Sequence, residues 1–206
     1  MTGGKYDRRA TRWSEIAYAD AATYLAHRGE LVLSLGPPLE QGDAVLDLAC
    51  GDGGLADHLP GARYFGVDTS AEMVKAGKLR GRDVVLGDLN DYEPAEPVAV
   101  TTCFRAIYYA DDRADFFRRV AGYTKRKFVF DLNPRQYRVE DVRADLRTAG
   151  FAQVELHPFF SPQHVSLPWP VASLLYVLER SGPFARLLLA VRFSYLCAAF
   201  RGSMNT

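Results

Sequence analysis

Two aspartates and a glycine-rich turn form the most specific pattern in this sequence of 206 residues. Asp47 lies inside a short apolar run at 44–48, and Gly51 and Gly53 follow it. Glycines there let the backbone turn sharply and approach a ligand without a Cβ in the way, and the helix expected next offers free N–H groups. Asp68 comes 21 positions after Asp47, close to the ~20 residues that separate a nucleotide-binding turn from its ribose-binding carboxylate.

A third aspartate, Asp88, ends the next apolar run. A carboxylate there can accept a hydrogen bond from an adenine amino group beside the ribose. Each aspartate alone is also an ordinary turn residue, but three on successive runs favour a nucleotide-shaped ligand. From the residues alone a nicotinamide dinucleotide stays open, because Gly51-x-Gly53-x-x-Ala56 satisfies a loose dinucleotide fingerprint.

The segments that must position these aspartates alternate between strand and helix patterns. Apolar runs suited to buried parallel strands are found at 44–48, 64–67, 84–86, 97–104, 127–132 and 152–156. Helical spacing is found at 70–79, 111–123 and 139–149. Strands alternating with helices predict an α/β fold with a mostly parallel sheet covered on both faces.

In order along the chain, segments 47–54, 67–73 and 87–89 resemble the motifs of class I S-adenosylmethionine-dependent methyltransferases of the small-molecule type. The resemblance covers about residues 40–156. An acidic residue four positions before the first glycine separates this pattern from dinucleotide dehydrogenases. The resemblance implies a doubly wound, mostly parallel seven-stranded sheet with helices on both faces, whose last strand is antiparallel.

The resemblance also divides the single methyltransferase domain, residues 1–206, into parts. A helical cap would span residues 1–40, and the cofactor-binding core would span 41–157. A helical lid insertion would occupy 158–192, and the last strand with a tail would occupy 193–206.

The resemblance implies that S-adenosyl-L-methionine is the cofactor and that the strand ends hold it. Asp68 would hold the ribose with Thr69 beside it, and Asp88 and Leu89 would flank the adenine. Met73 would pack near the adenine, with a plain core role as the alternative. The residues implied around the methionine part and the sulfonium are Asp47, Ala49, Cys50, Gly51, Gly53, Cys103 and Phe104.

Methyl transfer from a sulfonium needs alignment and shielding from water, and it needs a base only where the acceptor must lose a proton. The candidate bases after the fourth and sixth strands are Tyr108, Asp111, His157 and His164, with Tyr109 in reserve. A structural role is the alternative for each histidine. The sequence lacks the Asn/Asp-Pro-Pro-Tyr/Phe tetrapeptide of methyltransferases that act on nucleobase amines.

Charge and cysteine content limit which classes of partner and which compartment we expect for this chain. Lys+Arg and Asp+Glu are both 25, so the formal net charge is +0 and no nucleic-acid partner is expected. Three cysteines without a CxxC pair indicate reduced thiols in a cytoplasmic protein. No metal site, signal peptide or membrane span is predicted. The partner expected is a small-molecule acceptor, and the chain is expected to be a monomer or homodimer.

The segment from residue 158 onward differs from the core. It carries five prolines up to residue 183, and Glu179 is its only acidic residue. Two apolar helices, at 171–178 and 184–191, would form a lid, or would simply pack against the sheet. A lid favours a hydrophobic acceptor (a natural product, lipid or isoprenoid-like molecule) methylated on oxygen or nitrogen. The apolar surface also suggests peripheral contact with a membrane or with a second subunit.

Three other interpretations agree with parts of this sequence. A nicotinamide dehydrogenase would need a substrate domain, and too little chain follows residue 156. A nucleic-acid methyltransferase would show a basic face, and the best cluster is the modest one at 125–127. A non-catalytic module that only binds S-adenosylmethionine is the third, and the intact carboxylates argue against it.

Overall fold

The computed structural model describes residues 19–161, 167–182, 184–185, 187 and 194–201. Within them lies a seven-stranded sheet in the order β3-β2-β1-β4-β5-β7-β6. The first five strands pair in parallel, while β7 is antiparallel to both of its neighbours. The strands are β1 Ala44–Leu48, β2 Arg63–Asp68, β3 Val84–Leu86, β4 Val98–Cys103, β5 Thr124–Leu132, β6 Gln153–Phe159 and β7 Ser194–Phe200. The fold predicted from the sequence is therefore confirmed.

Helices cover both faces of this sheet. They are α1 Ala21–Ser34, α2 Ala71–Leu79, α3 Arg113–Tyr123, α4 Val139–Ala149 and α5 Trp169–Glu179. Side-chain caps begin three of them: Asp20 accepts from Thr23 N at 3.0 Å, Ser70 from Met73 N and Asp112 from Asp115 N. Gly150, in a left-handed conformation, ends α4.

Two apolar clusters hold the layers together. On one face, α3 and α4 pack on β1, β4 and β5 through a group of phenylalanines that includes Phe116, Phe117, Phe128, Phe130 and Phe151. On the other face, α1 contributes Tyr24, Leu31 and Val32 to a cluster with the middle of the sheet. Burial on both faces explains why the central strands are nearly continuous apolar runs.

The segment after the glycine turn differs from the expected α-helix. It is a short 3₁₀ helix, Gly54–His58, that ends at Leu59. Pro60 follows, and it disfavours helical backbone in the residue before it and has no N–H to donate. Gly61 then turns the chain with φ +80° into β2.

The predicted flanking elements lie partly outside the described residues. Residues 1–18 of the predicted N-terminal cap are outside them, and α1 is the described part of it. The first predicted lid helix is observed as α5. In the second, Phe184, Ala185 and Leu187 are helical, and the rest lies outside the described residues.

Lys127 is a fully buried lysine at the start of β5, and it offers a test of this packing. Its Nζ donates to the carbonyl of Leu35, just beyond the end of α1, at 2.5 Å. Burial lowers the pKa of Lys127 to about 8, below the ~10.4 of an unfolded lysine. The unfolded chain therefore binds more protons than the native one between these values, and stability from this residue rises as pH rises through that window.

We expect the free energy of unfolding of the wild type to rise relative to that of Lys127→Met between about pH 8 and about pH 10.4. Urea unfolding of both proteins across this range measures the difference, and other titrating groups cancel in it. A pH-independent difference would show that Lys127 is not a buried, destabilised ammonium.

Candidate active site

Asp47 is a carboxylate buried within the sheet, at 3% exposure. The hydroxyl of Tyr64 on β2 donates to its Oδ2 at 2.8 Å, and the hydroxyl of Thr102 on β4 donates to its Oδ1 at 2.6 Å. Burial raises the pKa of Asp47 to about 6, although both hydrogen bonds lower it. The group is therefore ionised at neutral pH and titrates at mildly acidic pH.

Asp68, at the end of β2, holds the glycine turn. Its Oδ2 accepts from the N–H of Gly51 at 2.7 Å, and its Oδ1 accepts from the N–H of Ser70 at 2.9 Å. Burial raises the pKa of this carboxyl, and these backbone hydrogen bonds oppose the rise. Because each carboxylate oxygen has two acceptor positions, Asp68 retains capacity for the two hydroxyls of a ribose.

A buried aspartate inside the turn was missed by the sequence analysis. Asp52 is 3% exposed, and its carboxylate pairs with Arg80 and, at 3.4 Å, with Arg82. Arg82 also donates to the Asp52 carbonyl at 2.9 Å and binds Asp57 at 2.6 Å. These contacts fix the turn where Gly53 takes φ +73°. No local spacing signalled them, since the arginines lie 28 and 30 positions away.

Asp88 joins the loop after β3 to the loop after β4. Its Oδ1 accepts from the main-chain N–H of Asn90 at 2.8 Å and from its side-chain amide at 3.0 Å. The same amide donates to the carbonyl of Tyr109 at 3.1 Å, and its oxygen accepts from the N–H of Asp111 at 3.0 Å. Asn90 therefore joins Asp88, which the resemblance places at the adenine, to Tyr109 and Asp111, two of the predicted base candidates, along one edge of the sheet.

The loop after β4 contains a non-glycine residue in the left-handed region. Arg105 has φ +57°, and its N–H donates to Asp131 at the end of β5. Asp131 also pairs with Arg28 of α1 at 3.5 Å. The Arg28 guanidinium lies 4.4 Å from the ring centroid of Phe104. This chain of contacts fixes the backbone where the resemblance places the sulfonium, and neither Arg28 nor Asp131 was singled out from the sequence.

The remaining residues predicted to bind the cofactor differ in how exposed they are, and therefore in which of their atoms can contact a ligand. Ala49 (φ 56°), Cys50 and Gly51 lie between β1 and the 3₁₀ helix, half-buried, and Thr69 is exposed. Three side chains are buried in the core: those of Met73, Leu89 and Cys103, at 2%, 6% and 0% exposure. Only main-chain atoms of these three can reach a ligand without repacking.

Of the two histidine candidates, His157 does not join this group. His157 lies inside β6 rather than after it, and its Nδ1 is 2.7 Å from the carbonyl oxygen of Pro158. Strand β6 extends past the predicted end because Phe159 pairs with Ser194 of β7. Three strand spacings separate β6 from β4, or roughly 14 Å. His164 lies outside the described residues.

A cavity of about 230 Å³ lies between α1 and α5. Four aromatic side chains line it, together with aliphatic, small polar and acidic residues: Tyr24, Phe160, Trp169 and Tyr176, then Leu167, Ala172, Leu175, Thr23, Ser161, Asp20 and Glu179. Phe160 and Ser161 follow the carboxyl end of β6, which is the ligand edge of such a sheet.

A buried contact between a histidine and a glutamate fixes the wall of this cavity. His27 Nε2 lies 3.1 Å from Glu179 Oε2, with both side chains at most 3% exposed. Glu179 also accepts from the N–H of Phe160 at 2.5 Å, and His27 Nδ1 is 2.7 Å from the hydroxyl of Ser161. Outside the cavity, the Tyr176 hydroxyl donates to Glu30 at 2.6 Å. Helix α1 and helix α5 are thus joined by contacts between residues about 150 positions apart.

The sequence of this chain is similar to those of known methyltransferases. A family model described as a methyltransferase domain matches residues 45–127. The chain is 32% identical over 146 residues to trans-aconitate 2-methyltransferase of Mycobacterium tuberculosis, covering 66% of this chain and 52% of that protein. A Mycolicibacterium gilvum protein of the same name is 33% identical over 119 residues, covering 53% of this chain and 44% of that protein. The chain spans about half the length of the curated relatives it matches.

Solved structures share the fold over almost the whole chain. A chain of the complex between the Haloferax volcanii Trm112 methyltransferase activator and a methyltransferase has TM-score 0.72 at 20% identity, covering 100% of both chains. Haemonchus contortus phosphoethanolamine N-methyltransferase 2, solved with S-adenosyl-L-methionine, has TM-score 0.64 at 17% identity, covering 94% of this chain and 56% of that one. Sequence and fold together identify in this chain a methyltransferase domain with the class I S-adenosylmethionine-dependent fold. Recognition of the family from its motifs is confirmed, and S-adenosyl-L-methionine is the cofactor of that family.

The carboxylates of this methyltransferase domain yield a first prediction about its cofactor. Asp68→Ala removes a charged acceptor for the ribose, so we expect affinity for S-adenosyl-L-methionine to fall by roughly 1.5–3 kcal/mol, about 10- to 150-fold. Titration calorimetry measures this change, with circular dichroism as the control for folding. A folded variant that binds with wild-type affinity would contradict the ribose role.

Asp47 yields a prediction about pH. The resemblance puts it beside the methionine part of the cofactor, which carries an ammonium group, so its ionised form should favour binding. Since its pKa is raised to about 6, we expect cofactor affinity to fall as pH decreases through that value. Affinity measured from pH 5 to pH 8 tests this, and Asp47→Asn should lose the pH dependence. An equal pH dependence in wild type and variant would assign it to another group.

Proposed function

We propose that this chain binds S-adenosyl-L-methionine and transfers its methyl group to an oxygen or nitrogen of a small, neutral or cationic molecule with an apolar body. The observation that carries the cofactor part is the Asp68 carboxylate, which joins the glycine turn to the end of β2. A cytoplasmic location, with no nucleic-acid partner, belongs to the same proposal.

The residues present fit this cofactor. Asp68 offers acceptors to a ribose, and exposed Asp88 offers a carboxylate to an adenine amino group. Gly51 and Ala49 give the backbone its left-handed turn at the loop, with φ 61° and 56°. When bound, the cofactor supplies an electrophilic methyl group on a sulfonium. The chain's own task is then to hold the acceptor atom in line with that methyl group and to exclude water.

The cavity between α1 and α5 is the proposed acceptor site. A line of contacts connects it to the loop after β4: the Arg28 guanidinium lies 4.6 Å from the Tyr24 ring centroid and 4.4 Å from that of Phe104. Tyr24 lines the cavity, and Phe104 follows the strand end implied at the sulfonium. Aromatic walls favour an acceptor with an apolar or aromatic body.

Charge around the cavity argues for a neutral or cationic acceptor. Among the described residues, its lining includes the carboxylates of Asp20 and Glu179 and no lysine or arginine. Glu179 is paired with His27, while Asp20 is exposed. A tricarboxylate such as the trans-aconitate in the names of the curated relatives would meet acidic groups here. Aromatic faces with nearby carboxylates instead suit an amine or its ammonium form.

The base, where one is needed, remains among four candidates. Asp111 is hydrogen-bonded to Asn90 on the edge that holds Asp88, and the ring of Tyr108 packs 4.3 Å from that of Tyr109 on the same edge, whereas His157 lies within β6. Substituting each in turn (Tyr108→Phe, Asp111→Asn, His157→Ala and His164→Ala) identifies a base as the variant that keeps cofactor affinity, loses turnover and loses one limb of the pH–rate profile. Wild-type turnover in all four would assign catalysis to positioning alone.

The decisive experiment uses methyl-labelled S-adenosyl-L-methionine and a panel of acceptors. The panel contains apolar amines, apolar alcohols or phenols, and polycarboxylates including trans-aconitate. We expect labelled product and S-adenosylhomocysteine with the first two groups. Label transfer only to the polycarboxylates would overturn the acceptor class while leaving the reaction intact. An assay with a Trm112-type activator belongs in the panel, because one structural neighbour was solved in such a complex.

A pair of variants on α5 tests the acceptor site itself. Ala172 lines the cavity, so Ala172→Phe should fill it and raise the acceptor KM at least about tenfold with unchanged cofactor affinity. Val171→Phe is the matched control, because Val171 is 43% exposed on the same helix. Equal kinetics in the two variants would place the acceptor elsewhere.

A further inference from the structure

His27 is a buried histidine of α1 whose two ring nitrogens both have partners. Its Nε2 lies 3.1 Å from a carboxylate oxygen of Glu179 on α5, and its Nδ1 lies 2.7 Å from the hydroxyl oxygen of Ser161. The imidazole also packs against two aromatic rings, with centroids 4.9 Å away at Phe159 and 4.1 Å away at Tyr176. These contacts fix the orientation of the ring, so each of its hydrogen bonds has a defined partner.

The direction of this chain of hydrogen bonds follows from the carboxylate at its buried end. Glu179 also accepts from the N–H of Phe160 at 2.5 Å, and its side chain is 2% exposed. A carboxylate only accepts hydrogen bonds, so Nε2 of the imidazole carries the proton that points at Glu179. In a neutral imidazole the other nitrogen then has no proton. Nδ1 of His27 therefore accepts, and the hydroxyl of Ser161 donates to it.

Ser161 links this buried chain of hydrogen bonds to the cavity. It lines the cavity between α1 and α5, whereas His27 is 3% exposed. A hydroxyl group has one hydrogen and two lone pairs. Because the hydrogen is donated to His27, the hydroxyl oxygen of Ser161 has only lone pairs to offer a molecule in the cavity. Ser161 is thereby a hydrogen-bond acceptor for that molecule, whereas an unconstrained serine could also donate.

We infer that Ser161, oriented by His27 and Glu179, selects acceptor molecules whose methylated atom carries a hydrogen. An N–H or O–H on that atom donates to Ser161, which leaves a lone pair of the same atom for the methyl group. A tertiary amine or an ether has no such hydrogen, so the lone pairs of Ser161 would stay without a donor. Ser161 thus determines specificity, and the other two residues position it. The inference rests on the proposed function, because it takes the cavity as the acceptor site.

The protonation of His27 is the first test, and it needs no methyl transfer. The full chain contains four histidines, and NMR of their isotope-labelled ring nitrogens shows which nitrogen of each carries a proton. The measurement is made at about pH 8, above the ~6.5 of an ordinary histidine, and His27→Phe identifies the signals of this residue. We expect the proton on Nε2. A proton on Nδ1, or on both nitrogens, would overturn the inference, because the hydroxyl of Ser161 could then donate into the cavity.

Glu179→Gln reverses the same chain of hydrogen bonds with little change of shape. The amide oxygen keeps the main-chain hydrogen bond, and the amide nitrogen donates to Nε2 of His27. We expect the His27 proton to move to Nδ1 and the hydroxyl hydrogen of Ser161 to turn toward the cavity. Glu30→Gln is the matched control. Glu30 also joins α1 to α5, through the hydroxyl of Tyr176 at 2.6 Å, but it is 51% exposed and its substitution should leave the proton on Nε2.

Binding of matched ligand pairs tests the selection itself. One pair is a secondary aromatic amine with its tertiary N-methyl analogue, and the other is a phenol with its methyl ether, all uncharged at this pH. Titration calorimetry in the presence of S-adenosylhomocysteine, which has no methyl group to transfer, gives the preference within each pair as a ratio of dissociation constants. We expect the preference for the N–H or O–H ligand to fall about fivefold in Ser161→Ala and in Glu179→Gln, as for one lost hydrogen bond. Glu30→Gln should keep it.

Three binding results would overturn the inference. The first is an unchanged preference in Ser161→Ala. The second is an equal fall in Glu179→Gln and Glu30→Gln, which would assign the change to looser packing of α5 on α1. The third is a wild type that binds neither pair. Circular dichroism of each variant is the folding control. The proposed function fails by a different result, which is that labelled methyl groups reach no acceptor of the panel described above.

Discussion

The buried carboxylate of Asp47 is the constraint on which the rest of the site depends. Its two hydrogen-bond donors come from opposite sides, Tyr64 on β2 and Thr102 on β4. In the observed register Asp47 lies beside Gly66 and Thr102. A slip of one residue would turn Thr102 to the other face of the sheet, and the charge would then be buried without its partner, at a cost of several kcal/mol. The register of three adjacent strands is thereby specified.

That register determines at which residue each strand ends, and therefore which main-chain groups beyond the strand ends can contact a ligand. β1 and β4 are both followed by a non-glycine residue in the left-handed region, Ala49 and Arg105. Such conformations cost on the order of 1–3 kcal/mol each and persist where surrounding contacts hold them. Asp131 accepts from the N–H of Arg105, and Asp68 holds the N–H of Gly51, two residues after Ala49. Carboxylates at the ends of β2 and β5 thus offset strain at the ends of β1 and β4.

The sequence predicted what depends on local pattern. β1, β3 and α4 have the predicted bounds. A strand buried on both faces and a helix with one buried side each produce a pattern in consecutive residues, so the sequence alone shows them. The glycine turn and its three aspartates followed from their spacing. It did not predict contacts between distant positions, such as His27 with Glu179 or Asp52 with Arg82, since nothing in either neighbourhood marks the partner. The extension of β6 to Phe159 was missed for the same reason, because pairing with β7 lengthens it.

Several of the unpredicted contacts hold the walls of the cavity that we propose for the acceptor. The walls of this cavity come from opposite parts of the chain, α1 and α5, and the buried contact between His27 and Glu179 joins them. Removing His27 would take one hydrogen-bond partner from the buried Glu179 carboxyl, at a cost of about 1–3 kcal/mol, so the contact fixes the position of α5 on α1. Once His27 and Glu179 fix α5, the inner side of the helix is committed to the cavity. A helix apolar on all sides is usually buried all round. The outer side of α5 is exposed instead, with Leu174 at 57% and Val177 at 67%, so the position of α5 depends on its contacts with α1 rather than on burial all round.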